Sequence, residues 1–136
     1  MDRVVVAAAV IAAAGLVALL AQRRRPDPPS VGTYDVPSQL DRTEFADPTA
    51  PWLVAVFTAQ TCESCAAVWQ TVTGCAGGDV AAQEIEIGAQ PDLHSRYRIE
   101  AVPTTVIADR AGVVQASFLG PLDGSVLAAA LDALVD

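Results

Sequence analysis

Residues 52–65 read WLVAVFTAQTCESC. Its first part, Trp52–Phe57, is a continuous apolar run, which is typical of a strand buried on both faces of a sheet. The segment from Cys62 to about Thr73 has the composition of a helix, and Gly74 is a natural stop. The stretch therefore predicts a buried strand that leads into a helix, with two cysteines at the junction.

The two cysteines at this junction predict redox chemistry. Cys62 and Cys65 are three positions apart, so they share one face of a helical first turn and can form a disulfide without much strain. The N–H groups and dipole of the helix N-terminus stabilise a thiolate, which favours Cys62 as the nucleophile and Cys65 as the deeper, resolving thiol. Two buried small residues and a zinc site are the alternatives. Zinc needs four ligands, which only Cys75 and His94 could complete, so we expect no metal.

Strands and helices alternate through the rest of the chain. Asp41 and Glu44 have the spacing of a capping box that opens a short helix. Downstream, the hydropathy pattern predicts strands at Val80–Ile87, Thr104–Ala108 and Val113–Phe118, and helices at Asp92–Tyr97 and after Asp123. This order is typical of an α/β domain.

The order of WLVAVFTAQTCESC, then YRIEAVPTTVIADRAGVVQASFLG, then an amphipathic terminal helix resembles the thioredoxin family. The resemblance covers about Asp35 to Asp136. It implies a thioredoxin-like α/β fold with a central mixed sheet of four or five strands flanked by helices. It also implies that Pro103 is cis and lies against the cysteine pair. Val102 would then offer its backbone to an extended substrate, with Pro103 and Thr61 completing the substrate-binding residues.

The motif departs from the family's usual Trp-Cys-Gly-Pro-Cys, because it reads Thr61-Cys62-Glu63-Ser64-Cys65 here. Glu63 places a negative charge beside the thiols, which opposes the helix dipole and disfavours the thiolate of Cys62. We therefore expect a moderate pKa for Cys62. We also expect the cysteine pair to have the reduction potential of a reductant or an isomerase, not that of a strong oxidant. Glu63 and Ser64 are the predicted redox-tuning residues.

A second departure concerns proton transfer. Many thioredoxins bury an aspartate in the strand before the motif as a proton acceptor for the second cysteine, and the matching position here is Val56. The chain has no lysine, so the usual partner of that aspartate is missing too. General-base help for Cys65 would then come from water or Glu63, or be absent.

Four further polar or reactive residues are predicted to have no catalytic role. Cys75 lies ten residues after Cys65, about 15 Å along a helix, which is too far for a disulfide between them. It is predicted to be a partly buried bystander, with a regulatory thiol as the alternative. His94 is predicted to be a surface residue without a partner. Glu84 and Glu86 are predicted to form one solvated face of a strand.

An apolar segment precedes the domain. Val4 to Ala21 is an 18-residue run without a charge, which spans about 27 Å as a helix and approaches the thickness of a bilayer core. A buried core helix and a cleaved signal peptide are the alternatives. Leu19 is large at a position where signal-peptide cleavage requires a small residue, and three arginines follow the run almost directly. Both observations argue against a cleaved signal peptide. Residues 1–22 are therefore predicted to be a single-pass transmembrane anchor, with membrane contact through residues 4–21.

Residues 23–34 are predicted to be a basic, proline-rich linker, and residues 35–136 the folded domain. Arg23, Arg24 and Arg25 outnumber Arg3 on the other flank of the anchor. The positive-inside rule then favours the domain on the cytoplasmic face, with an extracytoplasmic domain as the alternative.

Composition narrows the function classes. The chain has 136 residues, a formal net charge of −8 and 52% hydrophobic residues, which excludes disorder. Residues 26–136 carry four arginines against fifteen acids, so nucleic acid is not an expected partner. Three cysteines are too few to build a disulfide-based fold.

These observations predict a membrane-tethered thiol–disulfide oxidoreductase. Cys62 would attack a client disulfide, and Cys65 would release the reduced client. The expected partners are a protein client with a disulfide and a thiol electron donor, and no cofactor is expected beyond the Cys62–Cys65 disulfide. The alternative is a non-catalytic binding module that holds a protein partner or a metal at the membrane.

Overall fold

The structure, a computed structural model, describes residues 2–23 and 35–135, and of residues 21–23 only the backbone. The chain divides into two compact units at about residue 33. The predicted linker, with Arg24, Arg25 and its prolines, lies outside the described residues, and the predicted domain limits stay a prediction. In the first unit the described residues form one helix, α1 (Asp2–Arg23). By length and composition α1 could cross a membrane, a test that a signal sequence also passes.

The second unit is built on a mixed four-stranded sheet. Its strands are β1 (Trp52–Thr58), β2 (Val80–Glu86), β3 (Thr104–Asp109) and β4 (Val114–Leu119), in the order β2-β1-β3-β4. β1 pairs with β2 in parallel, whereas β1 with β3 and β3 with β4 are antiparallel. The helices are α2 (Cys65–Cys75), α3 (Pro91–Arg96) and α4 (Gly124–Val135). The predicted α/β class with a mixed sheet flanked by helices is therefore confirmed.

The central strand β1 is buried on both faces, which explains its continuous apolar run. Val54 and Val56 pack on one face in a cluster to which α2 and α4 contribute Val68, Val72, Leu127 and Leu131. Leu53, Ala55 and Phe57 pack on the other face, in a cluster with Leu40, Phe45 and Ile85. Each face of the sheet therefore has its own hydrophobic core, and β1 contributes to both.

A buried arginine, Arg42, links the segment before β1 to the sheet through hydrogen bonds. Arg42 is 6% exposed and lies in a short 3-10 helix at Arg42–Glu44. Its guanidinium donates hydrogen bonds to the carbonyl oxygens of Asp47 (2.9 Å), Ala50 (3.1 Å) and Asp109 (2.9 Å). Burial lowers the pKa of this guanidinium, against the attraction of Asp109. The sequence did not predict this role, because two of the three carbonyls belong to a loop and the third to β3.

The predicted capping box forms only in part. The Asp41 carboxylate accepts a hydrogen bond from the backbone N–H of Thr43 (3.0 Å), as an N-cap does. Glu44 does not return to the N–H of Asp41, because the Tyr97 hydroxyl takes that position. The N–H of Asp41 donates to the Tyr97 hydroxyl (3.0 Å), which donates to Glu44 (2.5 Å). Burial, followed by the hydrogen bond to Glu44, raises the pKa of Tyr97.

The prediction of a surface position for His94 is wrong. His94 is 4% exposed, and its Nε2 lies 2.8 Å from the carbonyl oxygen of Ile85. Its ring meets the ring of Phe57 edge-on, with the centroids 5.4 Å apart. Helix α3 places this side chain against the sheet. Its hydrogen-bond partner is a backbone carbonyl, which the polar sequence around His94 did not indicate.

Candidate active site

The two motif cysteines form a disulfide, with their Cα atoms 5.5 Å apart. The predicted helix start is wrong by one turn, because α2 begins at Cys65 and Ser64 is its N-cap. The N–H of Cys62 donates to the carbonyl oxygen of Ala59 (3.1 Å), which places Cys62 in the turn that leaves β1. The disulfide therefore joins this turn to the first residue of the helix.

The two sulfurs differ in burial. Cys65 is 3% exposed and lies on the side of α2 that carries the buried Val68 and Val72. Cys62 is half-buried and is the more exposed partner. An attacking group from outside therefore meets Cys62 first.

The residues around Cys62 differ in contact and exposure. The hydroxyl oxygen of Ser64 lies 3.8 Å from Cys62 Sγ, within hydrogen-bonding distance for sulfur. Thr61 and Glu63 are exposed on either side of Cys62. In a reduced site, Ser64 is in position to donate a hydrogen bond to a Cys62 thiolate, and Glu63 adds a negative charge next to it.

Val102 and Pro103 lie at the same end of the sheet as the disulfide. The Val102–Pro103 peptide bond is cis, as the resemblance implied. Strand β3 begins at Thr104, which pairs with Phe57 near the end of β1. The antiparallel pairing therefore brings the segment before β3 beside the turn that carries Cys62. Pro103 is buried and Val102 is half-buried.

Two glutamates of β2 lie beside the end of β1. Val56 is fully buried and pairs with Glu84, and Thr58 pairs with Glu86. The hydroxyl of Thr58 donates a hydrogen bond to the Glu84 carboxylate (2.9 Å). The Glu86 carboxylate accepts from the N–H of Ala89 (2.9 Å) in the turn after the strand.

The prediction of a freely solvated glutamate face is wrong for Glu84, which is half-buried and held by Thr58. Glu86 is half-buried as well, and backbone N–H groups, first that of Gly88, lower the pKa of its carboxyl. Sequence reasoning missed the position of Glu84. The alternation of Glu84 and Glu86 placed them on one face, but only the parallel pairing with β1 identifies that face.

Other candidate ligands remain apart. Within residues 2–23 and 35–135, no group of three or more His, Cys, Asp or Glu is placed to hold a metal ion. Cys75 is a free, half-buried thiol at the last residue of α2. It is separated from the disulfide by the length of the helix, and His94 packs in the core on the other face of the sheet.

The fold resembles that of known thioredoxins. No protein-family model and no curated protein matches the chain. A mutant thioredoxin from Halobacterium salinarum has 24% identity and a TM-score of 0.60, covering 75% of this chain and 96% of its own. Oxidized thioredoxin O2 from Arabidopsis thaliana has 22% identity and a TM-score of 0.57, covering 71% and 90%. A designed protein has 25% identity and a TM-score of 0.58, covering 73% and 89%.

These likenesses show a thioredoxin-like fold. The disulfide lies at the N-terminus of the first helix after the central strand, where a disulfide fits thiol–disulfide redox chemistry.

Proposed function

We propose that the protein is a membrane-tethered thiol–disulfide oxidoreductase. The observation that carries this proposal is the Cys62–Cys65 disulfide, with Cys65 buried at the first residue of α2 and Cys62 more exposed in the turn before it. The sulfur of Cys62 is accessible to a client, and the sulfur of Cys65 is buried and bonded to it. This asymmetry suits a nucleophile and a resolving thiol.

The proposed reaction has two exchange steps. In the reduced enzyme, the Cys62 thiolate attacks a client disulfide, so a Cys62–client bond forms and the first client sulfur leaves as a thiolate. Cys65 then loses its proton and attacks Cys62 Sγ, which forms the Cys62–Cys65 disulfide and releases the second client sulfur. The client gains two electrons, and an external thiol donor must return two electrons to the cysteine pair. No cofactor other than this disulfide takes part.

Client binding is assigned to Thr61, Val102 and Pro103. Within residues 35–135, no backbone hydrogen bond engages Val102, whereas the carbonyl oxygen of Pro103 accepts from the N–H of Gly120 (2.9 Å). The free backbone groups of Val102 suit the addition of an extended client segment beside the disulfide. Thr61 is exposed next to Cys62 and would border that segment.

Glu63 and Ser64 are proposed to set the reduction potential of the Cys62–Cys65 couple. Glu63 disfavours the Cys62 thiolate by like charge, whereas the Ser64 hydroxyl can donate to it. A weakly stabilised thiolate favours the disulfide form of the couple and hence a reductant or isomerase-like potential.

A redox titration of the full chain tests this function. In glutathione buffers we expect a reversible two-electron couple at or below about −180 mV, the range of protein disulfide isomerase and thioredoxin. The fraction of reduced Cys62–Cys65 is measured by alkylation and mass spectrometry, and Cys75→Ala removes the third thiol. A pair that does not cycle, or a potential near about −120 mV, would contradict the proposal. Bound zinc or copper in a pair that does not cycle would instead support the binding module.

The domain is proposed to lie on the cytoplasmic face, held by α1. Support comes from the arginine triplet after the apolar segment and from the length of α1. A cysteine added after Asp136, in a Cys75→Ala background, is expected to resist a membrane-impermeant maleimide in intact cells and to react after lysis. Labelling in intact cells would place the domain outside, and recovery of the chain in the soluble fraction would contradict the anchor.

A further inference from the structure

We propose that Glu84 is the proton acceptor for Cys65, an inference that rests on the proposed function. The resolving step needs a Cys65 thiolate, and Cys65 is 3% exposed. Burial disfavours an ionised thiol, so a base near its side of the helix would speed the step. The described residues place one carboxylate in a position to do this.

Helix α2 covers β1 and β2 and runs back along them. Its last residue, Cys75, and the first residue of β2, Val80, line the same open pocket, which Asp132 also borders. The first residue, Cys65, therefore lies at the opposite end of the helix, over the ends of β1 and β2. Its buried side is the side of Val68 and Val72, which pack on the sheet.

The Glu84 side chain lies on this covered face. Glu84 pairs with Val56, and side chains at paired positions of parallel strands point to the same side of the sheet. Val56 packs with Val68 and Val72 of α2. The hydrogen bond from Thr58, which is 1% exposed, confirms that the Glu84 carboxylate reaches toward the end of β1. Glu84 thus lies under the beginning of α2, where Cys65 is.

Other acids are less well placed for this proton. The Glu86 carboxylate is held by the turn at Ala89, and Glu63 is exposed on the outer side of the disulfide. Helix α2 has no charged residue, and of its two thiols Cys65 lies at its first residue, whereas Cys75 lies at the other end beside Val80. Asp132 of α4 is exposed. Strand β1 contributes only Val56 and Thr58 beside Glu84.

The proton balance of the resolving step follows from this placement. The Cys65 thiol gives its proton, through water, to the Glu84 carboxylate, and its thiolate attacks Cys62 Sγ. The Cys62–client bond breaks, the client sulfur leaves as a thiolate, and Glu84 returns the proton to solvent. No electron passes through Glu84. The Thr58 hydroxyl acts as a positioning group, because it donates to one carboxylate oxygen.

Reaction of the reduced full chain with Ellman's reagent separates the two steps. The test uses a Cys75→Ala background. The first thionitrobenzoate is released when Cys62 attacks the reagent, and the second when Cys65 attacks the mixed disulfide. In Glu84→Gln, which keeps an oxygen for Thr58, we expect the second phase to slow by about tenfold or more at pH 7. The first phase should stay within about twofold of wild type, and the matched control Glu86→Gln should change neither phase.

The pH profile distinguishes proton transfer from a structural effect. In Glu84→Gln the second phase should rise about tenfold per pH unit, because hydroxide replaces the lost base, whereas the wild type should be flatter. Glu84→Asp should restore the flat profile in part. An unchanged rate and slope in Glu84→Gln would overturn the role of Glu84 alone. A wild type that releases no second thionitrobenzoate would overturn the proposed function itself.

Discussion

A Cys65→Ser variant is expected to lose client turnover by at least about 10³-fold while it accumulates a mixed disulfide between Cys62 and its client. The serine hydroxyl cannot attack Cys62 Sγ, so the reaction stops after the first exchange. Because Cys62 is the more exposed sulfur and Cys65 is 3% exposed, the trapped bond should form at Cys62. Insulin reduction measures turnover, and non-reducing mass spectrometry of the full chain identifies the trapped client.

Two matched variants control this experiment. Cys62→Ser should lose turnover to the same extent without trapping a client, because the remaining thiol is buried. Cys75→Ser should retain turnover, since Cys75 is separated from the disulfide by the length of α2. If Cys62→Ser traps clients and Cys65→Ser does not, the assignment of nucleophile and resolving thiol is reversed.

An Arg42→Leu variant is expected to lower the free energy of unfolding by about 1–3 kcal/mol. The substitution removes the hydrogen bonds to the carbonyl oxygens of Asp47, Ala50 and Asp109. The oxygens of Asp47 and Asp109 still accept from the N–H groups of Ala50 and Gly112, so among the described residues only the oxygen of Ala50 loses its donor. A buried acceptor without a partner costs about 1–3 kcal/mol. Urea denaturation of the full chain in detergent measures the loss as a lower midpoint at an unchanged slope.

Arg110→Leu is the matched control, because Arg110 is exposed in the turn between β3 and β4. Its effect should stay within about 0.5 kcal/mol. Arg42→Lys should be intermediate, since one ammonium cannot reproduce the planar fork of the guanidinium. Equal midpoints for Arg42→Leu and Arg110→Leu would show that the three hydrogen bonds do not stabilise the domain.

Local sequence predicted the elements well where hydropathy alone decides them. The apolar run at Trp52–Phe57 became the central strand, and Asp123 caps α4 through hydrogen bonds from Ser125. The helix after the cysteines was predicted one turn too early. The turn at Ala59–Cys62 and the position of Ser64 at the N-cap come from the way the chain leaves β1, which hydropathy does not record.

Polar residues in the interior were the main errors of sequence reasoning. His94, Arg42 and Glu84 were predicted to be solvated or were not singled out, yet each has a hydrogen-bond partner on another element of the fold. Glu84 is held by Thr58, 26 residues away, and Arg42 binds a carbonyl 67 residues away. A buried polar group is stable only with a hydrogen-bond partner, and the identity of that partner depends on the pairing of strands and helices.

The amino-acid sequence by itself determined the buried central strand, the adjacent cysteine pair and the long apolar segment, because each depends on residues next to one another in the chain. Tertiary structure decided which face of the sheet carries Glu84 and which carbonyl of β3 accepts from Arg42. These positions depend on strand order and on parallel or antiparallel pairing. The spacing of residues along the chain determines neither the strand order nor the direction of pairing. Both result from packing the two hydrophobic faces of the sheet at the same time.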